Sequence, residues 1–224
     1  MSAVLRVRGL SKSYTQHLRD GRRMPVLHGL DLDVEPGSCV VVRGPSGSGK
    51  SSLLRCVYGS ARCDSGSIAI GGEGESLDVA TADERTILTA RRTLVGMATQ
   101  FLSVVPRVSA HDLVCAQGIE REAATGLLSR LGLPEELHDM PPATFSGGQR
   151  QLVNLALTLA RHRPLVLLDE VTASLDPRRR ELVFDELLER KARGVAFLCI
   201  FHDLPSAPGF VDRVVTLRDG RMVS

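Results

Sequence analysis

Residues 44–51 read GPSGSGKS and residues 165–170 read LVLLDE, and each string holds groups that are costly to keep together unless something uses them. The first fits the spacing G-x-x-x-x-G-K-[ST], in which small residues let backbone N–H groups curl around an anion and a lysine reaches it with a compact ammonium. Gly44, Pro45, Ser46, Gly47, Ser48, Gly49, Lys50, Ser51 and Ser52 are therefore candidate binding residues, with phosphate as the natural ligand and Ser51 placed to ligate magnesium. Lys50 is one of three lysines, with Lys12 and Lys191, among 28 basic residues. A chain so rich in arginine uses lysine here because a planar guanidinium fits poorly inside a tight phosphate loop. The second string runs apolar residues into Asp169 and Glu170, like charges side by side at the end of a buried strand. A third, FSGGQRQ at 145–151, sets Ser146, Gly147, Gly148 and Gln149 at the start of a helical pattern, a second loop of phosphate type without a lysine.

These groups need a frame. SCVVVR enters the glycine loop as a strand, and KSSLLRCVYG leaves it with Leu53, Leu54, Val57 and Tyr58 at helical spacing and Gly59 as the stop. Residues 1–43 alternate in the manner of strands and hairpins, and about 83–163 reads as a mainly helical lobe broken by PR, LP and PP. From residue 164 the order is strand LVLL, a helix from Pro177 to Arg193, strand VAFLCIF and a last strand near VDRVVTL. Asp176 as N-cap, Pro177 at the first helical position and Gly194 past the end delimit that helix. The expectation is one domain of 224 residues, an α/β core over 1–82 and 164–224 with the helical lobe between.

A net charge of +2 and a charged fraction of 24% carry no polybasic block for nucleic acid or a membrane surface. The five cysteines are odd in number and scattered, which indicates neither a disulfide framework nor a zinc site and fits a reducing compartment. The longest apolar run, VAFLCIF, is strand-sized, and MSAVLRVRGL lacks a signal-peptide core. The expected location is the cytoplasm, peripheral to the inner membrane where a membrane partner is involved.

In order along the chain stand GPSGSGKS, Gln100 after VGMAT, SGGQ at 146–149, LVLLDE, SLD at 174–176 and His202 after a strand. On these motifs the chain resembles the ATP-binding-cassette (ABC) family over nearly its whole length. The resemblance implies a P-loop NTPase fold: a parallel-sheet core with an antiparallel β subdomain and an inserted helical subdomain. It implies ATP and Mg2+ as ligands and an ATPase activity. It also implies a head-to-tail dimer with itself or a sister cassette, in which SGGQ of one subunit closes over the ATP of the other. Under it Asp169, with Ser51 and Gln100, holds magnesium, and Glu170 polarises the attacking water. Gln100 also senses the γ phosphate, His202 orients the phosphate and holds Glu170, and Tyr14 stacks on adenine. The remaining histidines, His17, His28, His111, His138 and His162, are left as structural.

At branch level, TQFLSVVPRVSA at 99–110, PATFSGG, VNLA and IFHD are similar to the ATP-binding subunit of the bacterial carbon–phosphorus lyase system. That makes soluble lyase subunits in phosphonate metabolism the expected partners, with the motor of a membrane ABC transporter as the alternative. In that stretch Phe101, Leu102, Val104 and Val105 could equally pack the lobe. With 22 residues after His202, the carboxy-terminal regulatory domain seen in some sugar-import cassettes is not expected. Three positions depart from the family pattern. Val171 stands for proline and leaves the backbone of Glu170 freer, and Leu152 and Leu157 stand for arginines, which would remove cations from the nucleotide interface. Phe145 for leucine is milder. Slow hydrolysis in an ATP-dependent clamp is the corresponding second expectation.

Overall fold

The computed structural model describes residues 3–16, 22–71, 76–100, 107–202 and 207–223. Phe101, Leu102, Val104, Val105, His17 and Asp203 lie outside the described residues. In chain order the elements are β1 (Leu5–Gln16), β2 (Arg22–Val34), β3 (Cys39–Arg43), α1 (Lys50–Val57), β4 (Ser65–Gly71), β5 (Ser76–Asp78), α2 (Glu84–Thr93) and β6 (Val95–Ala98). There follow α3 (Ala110–Cys115), α4 (Arg121–Arg130), α5 (Gly147–Leu159), β7 (Leu165–Asp169), α6 (Pro177–Ala192), β8 (Ala196–Ile200), β9 (Arg213–Arg218) and β10 (Arg221–Val223). Among the described residues no helix is long and apolar enough to cross a membrane.

The strands form two sheets. One is antiparallel, in the order β2-β1-β4-β5, and the other runs β10-β9-β3-β8-β7-β6, parallel from β9 to β6 with β10 antiparallel at one edge. The central parallel strands carry unbroken apolar runs, Cys39–Val42, Leu165–Leu168 and Ala196–Ile200, because both faces are covered. Val40, Val42, Leu165, Leu167, Ala196, Leu198 and Ile200 face the core shared with α1 and the antiparallel sheet. Cys39, Val41, Val166, Leu168, Phe197 and Cys199 face the core shared with α5, α6 and the helices of the lobe. Truncating a fully buried leucine here, such as Leu167→Ala, costs about 2–5 kcal/mol.

The stretch expected as a helical lobe also carries β6, which edges the parallel sheet beside β7. Leu152, expected beside the nucleotide interface, is fully buried in the core of the single chain, and Leu157 is half-buried against the same core. Phe145 is also a core residue.

Candidate functional site

Strands β3, β6, β7 and β8 are parallel, so their carboxyl ends share one edge of the sheet. The loop 44–49 leaves β3, Gln100 lies just beyond β6, Asp169 ends β7 and Glu170 follows, and His202 comes just after β8. Ligands of open α/β sheets bind at such carboxyl ends, and the fold gathers four separate sequence segments there, the first running on into α1.

The loop itself needs glycine. Gly44 has φ 152, and a Cβ there would sit 2.0 Å from the Leu217 carbonyl; Gly49 has φ 104, and its Cβ would meet Leu27 Cδ2 at 2.7 Å. Gly49 is the N-cap of α1, contributes no side-chain cap, and no acidic residue stands in the first turn. The first N–H groups of α1 are thus left to an anion, with the positive end of the helix dipole behind them. Ser48 is buried, and its hydroxyl has no hydrogen-bond partner among the described residues. Lys50 Nζ donates to the carbonyls of Gly44 at 2.9 Å and Pro45 at 3.0 Å, so it is folded over the cradle. Pro45, Ser46 and Gly47 are the exposed rim, and Ser52 is half-buried on α1.

Ser51 Oγ donates to Asp169 Oδ1 at 3.4 Å. Burial pushes the Asp169 carboxyl above its ordinary range, with the neighbouring Glu170 charge adding to the rise; the Ser51 hydrogen bond, Arg55 and Lys50 act the other way. A cation against this pair would relieve the strain of ionising it, and a hydroxyl beside a carboxylate is a hard oxygen set suited to Mg2+. Arg55, four residues after Ser51 on α1, is the contributor that the motif spacing did not single out.

Glu170 adopts φ 53, uncommon for a residue with a Cβ, and its N–H donates to the Ile200 carbonyl at 2.9 Å. Val171 is fully buried. The freedom expected from valine is used: a proline at 171 would drive Glu170 away from this backbone region. Gln100 and His202 are exposed in bends past their strands.

Tyr14 is half-buried on β1, where its hydroxyl donates to Ser52 Oγ at 3.4 Å and Lys12 Nζ lies 4.8 Å from its ring centroid. The aromatic is therefore tied to the helix that follows the phosphate loop. Ser146 and Gln149 form a capping box at the start of α5: the Gln149 N–H donates to Ser146 Oγ at 3.3 Å, and the Ser146 N–H to Gln149 Oε1 at 2.9 Å. Gly147 is exposed, and a Cβ on Gly148 would sit 2.8 Å from the Ser174 carbonyl. Within the chain this second loop satisfies itself. His111 and His138 are buried in the lobe on backbone carbonyls, Arg121 at 2.9 Å and Leu133 at 3.1 Å.

The ABC transporter family model matches residues 27–173. The lipoprotein-releasing system ATP-binding protein LolD 2 of Caulobacter vibrioides is 40% identical over 228 residues, covering 98% of this chain and 96% of that protein. The phosphonates import ATP-binding protein PhnC of Hyphomonas neptunium is 37% identical over 211 residues, covering 86% of this chain and 77% of that one. A dimeric, post-hydrolysis structure of the ATP-binding cassette MJ0796 bound to ADP and Pi shares the fold at a TM-score of 0.87 and 24% identity, covering 98% of this chain and 97% of that one. The names are those of release and import systems, so the expected carbon–phosphorus lyase branch has no support from them, and short strings such as VNLA and IFHD are outweighed by likeness along the full chain. With a family model over most of the chain and a relative at 40% identity along nearly all of it, the chain belongs to the ABC transporter family.

Proposed function

We propose that the chain is the ATP-hydrolysing motor subunit of a membrane transport or release system, acting as a head-to-tail pair on a permease at the cytoplasmic face of the inner membrane. The observation that carries the ATPase reading is the meeting, at one sheet edge, of the uncapped lysine loop and the Ser51–Asp169 contact beside Glu170. The transport reading is supported by the family and by relatives named as ATP-binding components of release and import systems.

In this reading the N–H groups of 44–51 and Lys50 bind the phosphates of ATP, and Tyr14 stacks on its base. Ser51 and Asp169 hold Mg2+, with Gln100 completing its shell. When bound, the ion would supply positive charge against the phosphates. Glu170 takes the proton of the attacking water, and His202 orients that water's target. Ser146 to Gln149 closes over the nucleotide of the other protomer. The left-handed backbone of Glu170 favours slow turnover in the isolated subunit.

Glu170→Gln should bind ATP and lose hydrolysis; a parent that turns over no faster than this variant sinks the enzymatic claim. A tagged pull-down from the native host should recover a multi-span membrane protein, and recovery of soluble enzymes alone would overturn the transport claim.

A further inference from the structure

Strand β6 stands at the edge of the parallel sheet, so one row of its backbone groups has no neighbouring strand. Its pairing with β7 ends at Ala98, and Thr99 and Gln100 lie beyond the ladder. Three polar side chains of α5 take the place of a missing strand. Asn154 Nδ2 donates to the Thr99 carbonyl at 2.6 Å, Gln151 Nε2 donates to the same carbonyl at 3.1 Å, and Thr158 Oγ1 donates to the Met97 carbonyl at 3.2 Å. Met97 and Thr99 are two residues apart in an extended chain, so their carbonyls point the same way. Positions 151, 154 and 158 form one stripe of a helix.

All three side chains are buried, at 2%, 7% and 6% exposure. Close approach is built in: a Cβ at Gly96 would meet Thr158 Cγ2 at 3.2 Å and Arg163 Cδ at 3.3 Å. Packing alone would be served by apolar residues, as it is by Leu152, Val153 and Leu155 on the same helix. Two amide donors on one carbonyl, immediately before Gln100, do more: they set where the chain leaves the sheet. The same helix begins at Ser146.

We infer that Asn154, with Gln151, is a positioning residue that fastens the root of Gln100 to α5, so that Gln100 and the Ser146 loop move as one body. This rests on the ATPase reading above. Engagement of the Ser146 loop by a partner's nucleotide would then reset Gln100 at the protomer's own nucleotide, a mechanical link between the two sites of a pair. Asn154 touches no ligand and acts through Gln100.

The test is a double-mutant cycle on the full chain: parent, Asn154→Leu, Gln100→Ala and the double variant, read by phosphate release at saturating MgATP and by TNP-ATP titration. Asn154→Leu keeps the branched shape and heavy-atom count of the side chain and removes the donor. It is expected to lower kcat about tenfold while leaving the TNP-ATP Kd within about twofold. In the Gln100→Ala background it is expected to lower kcat no further. If the two losses multiply, or if Asn154→Leu matches the parent, the inference is overturned. If Asn154→Leu fails to fold, Gln151→Leu takes its place with the same criteria. A parent without turnover sinks the ATPase reading and this inference with it, whereas an active parent with multiplying losses sinks this inference alone.

Discussion

The loops before α1 and before α5 are made of the same small residues, and they differ in what satisfies their backbone. Before α1, Gly49 caps with no side chain and Lys50 lies across the loop carbonyls, so the amides of the first turn are left for an anion. Before α5, Ser146 and Gln149 close a reciprocal box, and the helix start is complete in the single chain. One loop is finished by a ligand and the other needs none to hold its shape. The second can therefore keep one conformation in an isolated protomer and meet a partner's nucleotide preformed, with little ordering to be done on closure.

The sharpest way to break this contrast is to remove the cation from the first loop. Lys50→Ala is expected to lower ATP affinity by about a thousandfold with the fold intact, since among the described residues Lys50 bonds to carbonyls of its own loop. Equilibrium titration with TNP-ATP and a thermal melt check both parts.

Next in size is Asp169. Its folded carboxyl lies above the ordinary range, so the ligand-free native state holds a proton more tightly than the unfolded chain does. Stability of the ligand-free protein therefore falls as pH rises through the window between the unfolded and folded values, and is regained as pH falls through it. Asp169→Asn is expected to remove that dependence and raise the neutral-pH melting temperature by about 2 °C, while cutting Mg2+-dependent turnover about a hundredfold. Calorimetry across pH, beside phosphate release, reads the two opposite signs.

On the second loop, Ser146→Ala removes the cap and is expected to cost about 1 kcal/mol of stability. ATP binding by the single protomer should be unchanged and ATP-driven dimerisation weakened about tenfold, which sedimentation velocity with and without MgATP would measure. The smallest effect is expected at Val171→Pro, which moves Glu170 out of its left-handed region: kcat should rise about threefold with ATP affinity unchanged, measured by phosphate release.

The helix from Pro177 was legible at both ends because Asp176, Pro177 and Gly194 each have one physical role there. The strand, loop and helix around Lys50 were legible because a short continuous apolar run gives way to helical spacing across a glycine run. Strand β6 was not, because VGMA is four residues long, and only pairing with β7 decides what it is. The place of Leu152 needed the direction of the α5 side chains, which motif alignment does not carry. Nor could spacing bring Asn154 to Thr99, 55 positions earlier. The φ of Glu170 is a tertiary outcome, held by the carbonyl of Ile200 on the neighbouring strand.

The claim on which the rest depends is that the Lys50 loop of one protomer and the Ser146 loop of another build one hydrolytic site. Mixing Lys50→Ala protein with Ser146→Arg protein tests it directly, because the mixed pair has one site with both loops intact and one with neither. The expected result is ATP turnover well above the sum of the two proteins assayed apart, rising with the mixed-pair fraction. Turnover equal to that sum at every mixing ratio would contradict a shared site.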